Sequence, residues 1–145
     1  SGGALINENG NLIGINSKIF SSTGAYQGIG FAIPSNLVVQ IATQLIRFGE
    51  VKSLWIGNFR VSRVDLKINE KYSSGLRIVE MEKIGPLFDR GVQVNDIITK
   101  INDQESNWNS LIQSLRYATL GESLKLEFYT VSNEFKTYEF KYSGD

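Results

Sequence analysis

Residues 85–103, GPLFDRGVQVNDIITKIND, contain the clearest local indications of the fold of this chain. Pro86 stands where a helix can begin, because the first helical position needs no backbone N–H and proline has none. The run Ile97 to Ile101 is rich in β-branched residues, which is typical of a strand. The stretch therefore predicts a short helical turn, a polar connection and then a strand.

Two longer helices are predicted on either side of this stretch. Apolar residues at three- and four-residue steps indicate a helix from about Asn36 to Phe48, with Gly49 at its end. Asn107 can cap a second helix that ends near Gly121. Its apolar face is formed by Trp108, Leu111, Ile112 and Leu115.

The remaining apolar runs predict strands. Residues 4–15 form two runs joined by a polar segment that ends in Asn-Gly, which is a strong hairpin signal. Further strands are expected over residues 28–33, 55–61, 76–79, 124–128 and 138–142, and a mobile loop over residues 17–27. The predicted fold class is mainly β with few helices.

Composition limits the classes of function. The chain has 145 residues, of which 41% are hydrophobic and 21% charged, enough for one globular domain or one domain and part of another. Fifteen basic residues balance fifteen acidic ones, which argues against a nucleic-acid partner. With no His and no Cys, the chain has no thiolate metal site and no histidine base, and we expect no metal and no cofactor.

Two local motifs are ambiguous when taken alone. Ser1-Gly2-Gly3 before a strand could present a nucleophile, but a cloning scar or flexible tag has the same sequence. In the segment from Leu54 to Val61, Gly57 could leave consecutive backbone N–H groups pointing outward to hold a carboxylate, or it could be a glycine bulge in a strand. Local sequence favours the bulge.

The 85–103 stretch also resembles the hallmark of a PDZ domain, G-P-A…A-G-(L/I)-x-x-(G/N)-D-x-I-x-x-(V/I)-(N/D). It follows IGFAIP at residues 29–34, and the combination is similar to the HtrA/Deg family of trypsin-like serine proteases, where G-I-G-F-A-I-P closes the protease domain. The resemblance implies that residues 1–50 are the C-terminal strands and helix of a trypsin-like β-barrel protease domain. Residues 51–145 would be a PDZ domain, a partly open β-barrel or sandwich with two helices.

On the protease side, the resemblance places Ser1 as the nucleophile, since SGGAL aligns with the family motif G-N-S-G-G-A-L. It also makes a native Ser1 the better interpretation than a scar. Residues 12–16 would hold a substrate backbone, and residues 17–27 would shape the specificity pocket. The family's catalytic His and Asp lie outside this sequence, so we expect the chain to be inactive alone.

On the PDZ side, the resemblance implies that the amides of Ile56, Gly57 and Asn58 hold a C-terminal carboxylate. A peptide would add as a strand beside residues 59–62, opposite the helix that begins at Trp108. Many family members have a hydrophobic residue where Asn58 stands. The candidates for a pocket around the last peptide side chain are Ile56, Ile112 and Leu115.

The function that the resemblance implies is recognition of peptide C-termini within an envelope serine endopeptidase for protein quality control or stress sensing. The partners would be C-termini of unfolded or misassembled proteins, and the parent would be a periplasmic or envelope homotrimer assembled through its protease domain. A single PDZ domain fits the DegS-like branch, although a two-PDZ member shortened after its first PDZ domain would have the same pattern. The alternative is a non-catalytic PDZ adaptor with a degenerate protease portion.

Overall fold

The chain folds into two compact units, Ser1–Val51 and Lys52–Asp145. The computed structural model describes residues 1–19, 30–118 and 121–142. Within these ranges strands predominate and three helices are present, which confirms the predicted class, mainly β with few helices. The division lies one residue from the predicted boundary at 50/51, while the assignment of the units to a protease remnant and a PDZ domain stays a prediction.

The first unit is a three-stranded antiparallel sheet followed by a helix. Its strands pair in the order β1-β2-β3, and the turn between the first two is held by Asn7, whose Oδ1 accepts hydrogen bonds from the N–H groups of Asn9 and Asn11 at 3.0 and 2.9 Å. Gly49 ends the helix in the left-handed conformation, as predicted, and its N–H donates to the Leu45 carbonyl at 2.9 Å. The elements are β1 (Ala4–Ile6), β2 (Leu12–Ile19), β3 (Gly30–Pro34) and α1 (Ser35–Phe48).

The second strand is longer than the sequence predicts. Ser17 to Ile19 were expected to open a loop, but β2 continues through them because Asn16 pairs with Ala32 and Ile19 with Gly30. Backbone pairing with β3 outweighs the polar composition there. Residues 20–27 of the predicted specificity loop, and Gly28 and Ile29 of the next predicted strand, lie outside the described residues.

The second unit is a six-stranded antiparallel sheet with two helices. The strands follow the order β4-β5-β6-β8-β9, and β7 pairs with β6, so β4 and β9 are the two ends of the ordered path. The helices connect β5 to β6 and β7 to β8. The elements are β4 (Phe59–Ile68), β5 (Lys71–Met81), α2 (Pro86–Asp89), β6 (Ile97–Ile101), β7 (Gln104–Glu105), α3 (Trp108–Arg116), β8 (Ser123–Tyr129) and β9 (Phe135–Lys141).

Several predicted boundaries in this unit are wrong, and two other local predictions are confirmed. The strand expected over residues 76–79 spans Lys71–Met81, and the one expected to end at Val61 continues to Ile68. The strand expected from Trp55 begins only at Phe59, and the second long helix ends at Arg116 rather than near Gly121. The helical turn at Pro86 forms as predicted, and the Asn107 side chain caps α3 by accepting a hydrogen bond from the Ser110 N–H at 2.9 Å.

The core of the second unit lies between one face of the sheet and the helices. Along β8 every second residue is buried, as the alternation predicts, with Leu126 and Phe128 fully enclosed. The same core receives Leu87 from α2 and Leu111 from α3. Its other buried members include Ile56, Leu76, Ile78, Val92, Ile98, Ile101, Leu124 and Phe140.

A buried carboxylate joins the turn after α2 to the hairpin between β8 and β9. Asp96 is 3% exposed, and its two carboxylate oxygens accept hydrogen bonds from the N–H groups of Gln93 and Val131, both at 2.9 Å. Its carbonyl also accepts from the Ile78 N–H at 2.9 Å. Because a buried carboxylate is stable only when its oxygens are bonded, Asp96 fixes the relative position of these two turns.

We therefore expect Asp96→Ala to lower the free energy of unfolding by about 2–3 kcal/mol, since two backbone donors lose their acceptor. Asp65→Ala is the matched control, because the exposed Asp65 makes a surface ion pair with Arg63 at 4.0 Å that is worth less than about 1 kcal/mol. Urea denaturation of both variants measures the difference. Equal losses would show that the Asp96 hydrogen bonds are not what stabilises the two turns.

Candidate functional site

The irregular segment 54–58 precedes the edge strand β4 and is hydrogen-bonded to α3, to α2 and to the residue after β5. The Leu54 N–H donates to the Leu115 carbonyl of α3 at 2.7 Å. The Ile56 carbonyl accepts from the Leu87 N–H at 2.8 Å, and the Asn58 carbonyl accepts from the Glu82 N–H at 3.0 Å. These bonds fix the segment, which we call the nest loop, through one N–H group and two carbonyls.

Three consecutive amides of the nest loop have no partner among the residues that the structure describes. Within residues 1–19, 30–118 and 121–142, no acceptor is hydrogen-bonded to the N–H of Ile56, Gly57 or Asn58. Ile56 is only 1% exposed, so its N–H has little access to solvent. Gly57 is half-buried and Asn58 is exposed, so a ligand can approach this row from solvent. Consecutive unpaired backbone N–H groups of this kind can bind an anion.

Two glycines give the nest loop its conformation. Gly57 has φ +139°, which L side chains rarely adopt. At Gly85, just before α2, a Cβ atom would lie 3.0 Å from the Gly57 Cα and 3.0 Å from the Trp55 ring. Gly85 itself has φ +104°, so both the close approach and the backbone angle require glycine there. Gly85 thus packs directly against Trp55 and Gly57 of the nest loop.

The polar side chains of the nest loop bond to one another. The Trp55 Nε1–H donates to Asn58 Oδ1 at 3.0 Å, and Asn58 Nδ2 donates to Glu82 Oε2 at 2.9 Å. Asn58 is exposed and uses both ends of its amide in this chain of hydrogen bonds. This gives a physical reason for a polar residue at position 58.

Strand β4 follows the nest loop and offers a free edge. It pairs with β5 along its whole length and, among the described strands, with no other. Its odd-numbered residues Phe59 and Val61 pack against the core, on one face of the strand. An extended peptide could therefore add to β4 by backbone hydrogen bonds.

The predicted pocket residues divide between core and surface. The side chain of Ile56 belongs to the hydrophobic core, so only its amide is placed to meet a ligand. Ile112 and Leu115 on α3 are half-buried, and Leu115 packs against the core. These two residues are left as the accessible apolar candidates for a side-chain pocket.

A depression near the start of α3 was not predicted from the sequence. It has a volume of about 310 Å³ and is lined by Val61, Arg63, Ser74, Leu76 and residues 105–108. Ser106, directly before the cap residue of α3, is 2% exposed, and its Oγ has no hydrogen-bond partner within residues 1–19, 30–118 and 121–142. A Ser beside an N-cap is common in any sequence, so no sequence signal distinguishes it.

Ser1 lies in the other unit, where the backbone following it is bonded to β2. The Gly2 N–H donates to the Asn16 carbonyl at 2.7 Å, and the Asn16 N–H donates to the Gly3 carbonyl at 2.8 Å. Ser1 is exposed. The sequence contains no histidine, so this chain offers no imidazole base to Ser1.

The described residues form neither a metal-binding cluster nor a membrane-spanning helix. Among the described residues, no group of three acidic side chains is close enough to hold a metal ion. None of the helices in the same ranges has the length and apolar character needed to cross a bilayer.

The chain is similar to several curated proteases. The periplasmic pH-dependent serine endoprotease DegQ of Escherichia coli is 36% identical over 137 residues, which cover 92% of this chain and 30% of DegQ. A probable periplasmic serine endoprotease, DegP-like, of Pseudomonas putida is 34% identical over 108 residues, 72% of this chain and 22% of the relative. Protease Do-like 1 of Arabidopsis thaliana chloroplasts is 33% identical over 139 residues, 88% of this chain and 31% of the relative.

Solved structures give the same result. The HtrA-type protease AlgW with tripeptide has a TM-score of 0.68 at 28% identity and covers 98% of this chain and 48% of its own. The chain belongs to the HtrA/Deg family. AlgW with decapeptide has a TM-score of 0.64 at 29% identity, over 99% of this chain and 45% of its own.

The family membership confirms the resemblance seen in the sequence, although no protein-family model matches the chain. HtrA/Deg proteins are serine endoproteases, and this chain spans less than a third of the length of the curated relatives described above. What the whole protein cleaves and binds is therefore a matter of proposal.

The glycine at position 85 can be tested by substitution. Gly85→Ala should lower the free energy of unfolding by about 2–4 kcal/mol, because it adds both a positive-φ penalty and a collision with Gly57 and Trp55. Gly91→Ala is the matched control, since Gly91 has φ +89° but nothing within 4 Å of a Cβ atom, and should cost about 1–2 kcal/mol. Chemical denaturation compares the two, and a Gly85 variant no less stable than the Gly91 variant would contradict the close packing.

Proposed function

We propose that residues 51–145 form a PDZ domain that binds the C-terminal ends of other polypeptides. The observation that carries this proposal is the row of three unpaired N–H groups at Ile56, Gly57 and Asn58, at the start of a strand with a free edge. A carboxylate can accept several of these hydrogen bonds at once, and an extended chain ending there can pair with β4.

The site favours a free carboxylate over an internal carbonyl. A carboxylate accepts charge-assisted bonds, which are roughly twice as strong as those accepted by a neutral carbonyl. The side chain of the last ligand residue would lie beside α3, against Ile112 and Leu115. Two similar structures are of AlgW with a tripeptide and with a decapeptide, which supports a peptide ligand for this chain as well.

For the whole protein, we propose a serine endoprotease of the periplasm or cell envelope. The periplasmic names of the DegQ and DegP-like relatives support this compartment. In that protein Ser1 would be the nucleophile, and the His and Asp of the triad would come from sequence outside this chain. The C-termini of unfolded or misassembled proteins would be the ligands, and the protease domain would hold a homotrimer together.

The binding proposal predicts a large effect of C-terminal amidation. A hydrophobic peptide with a free C-terminus should bind the chain at least about tenfold more tightly than the same peptide amidated, because the amide removes the negative charge that the three donors receive. Isothermal titration calorimetry at one ionic strength measures both constants. Equal affinities would eliminate carboxylate capture by the nest loop.

The enzyme proposal is tested on the whole protein. A serine-directed phosphonate should label Ser1 when the His and Asp are present, and should leave the isolated chain unlabelled because no base is available to Ser1. Ser1→Ala is the control for labelling at another serine. A whole protein that binds peptides but is never labelled would favour the PDZ adaptor over the protease.

A further inference from the structure

Glu82, the residue after β5, holds a carboxylate beside the nest loop. Its backbone N–H donates to the Asn58 carbonyl at 3.0 Å, and its Oε2 accepts a hydrogen bond from Asn58 Nδ2 at 2.9 Å. The other end of the Asn58 amide is bonded to the Trp55 indole at 3.0 Å. Glu82 is therefore fixed by two hydrogen bonds to a residue whose own N–H is one of the three unpaired donors.

The Glu82 carboxylate lies near any anion that the nest loop binds. Four covalent bonds separate the Asn58 backbone nitrogen from Nδ2, so these two atoms are at most about 5 Å apart. A ligand oxygen that accepts from the Asn58 N–H at about 2.9 Å is then no further than about 11 Å from Glu82 Oε2. Two negative charges at this separation repel each other.

The charge of Glu82 is not balanced by a cation. In the described part of the chain, no Lys or Arg forms an ion pair with Glu82. Arg60 lines the same open depression of about 530 Å³, but its guanidinium is paired with Glu80 at 3.2 Å. Lys83, the next residue, is exposed and does not line the depression. The lining residues thus carry one positive charge and two negative ones.

We propose that Glu82 limits the affinity of the nest loop for a C-terminal carboxylate by electrostatic repulsion, and that salt relieves this repulsion. This inference rests on the proposed binding of peptide C-termini. The three N–H groups still bind the carboxylate, because they contact it directly, whereas Glu82 acts from a distance. Salt screens the distant charge more strongly, since the Debye length falls from about 30 Å at about 0.01 M to about 3 Å at about 1 M.

The test uses a hydrophobic peptide with an acetylated N-terminus, whose only charge is its free C-terminal carboxylate. Isothermal titration calorimetry measures its binding to the unmodified chain and to Glu82→Gln, which keeps an acceptor for the Asn58 amide but has no charge. In about 0.01 M salt, Glu82→Gln should bind the peptide about 2- to 10-fold more tightly than the unmodified chain, because one repulsive charge is removed. In about 1 M salt, the two affinities should agree within about 1.5-fold.

Glu70→Gln is the matched control for the change in net charge. Glu70 is exposed in the turn after β4, at the far end of a ten-residue strand about 30 Å long, so its affinity should equal that of the unmodified chain. The same peptide with an amidated C-terminus is the control for a structural effect of the substitution. It carries no charge, so Glu82→Gln should not improve its binding at either salt concentration.

This inference is overturned if Glu82→Gln brings no gain at low salt, if the gain persists at high salt, or if the amidated peptide gains equally. If the free peptide still binds the unmodified chain more tightly than the amidated one, the proposed function stands without it. If the free and amidated peptides bind equally at both salt concentrations, carboxylate capture fails and this inference fails with it.

Discussion

The close approach of Gly85 to Gly57 is the constraint on which the candidate site depends. It brings the start of α2 against the nest loop, so that the Leu87 N–H reaches the Ile56 carbonyl. The carbonyls of Ile56 and Asn58 are bonded within the unit, while the N–H groups of Ile56, Gly57 and Asn58 have no acceptor among the described residues. The shape of the site therefore depends on the absence of a side chain at Gly85.

Two buried polar side chains of the second unit differ in their hydrogen bonding. Asp96 is fully bonded and joins two turns, so it contributes to the stability of the fold. Ser106 is as deeply buried, and its hydroxyl has no partner in the part of the chain that the structure describes. Asp96 therefore stabilises the fold, whereas the Ser106 hydroxyl makes no hydrogen bond to the described residues that would offset its burial.

Much of this architecture could be predicted from local signals. The proline of the 85–86 motif, the cap at Asn107 and the alternation in β8 each depend on neighbouring residues, and all three formed as predicted. The start of β4 could not be predicted in this way, because the backbone angle of Gly57 is fixed by contacts with Gly85, distant in sequence. The core position of Ile56 and the burial of Ser106 have the same cause, since both depend on how separate elements pack.

The free edge of strand β4 also bears on how the protein avoids association with itself. A strand edge with unbonded N–H and C=O groups can join any other strand, including β4 of a second copy, and such pairing leads to aggregation. Here Arg60, Arg63, Asp65 and Lys67 are exposed along the strand. Two copies placed edge to edge would have to desolvate these charges, whereas a short uncharged segment would not. The same side chains that leave the edge open to a foreign chain thus help to keep the protein from polymerising with itself.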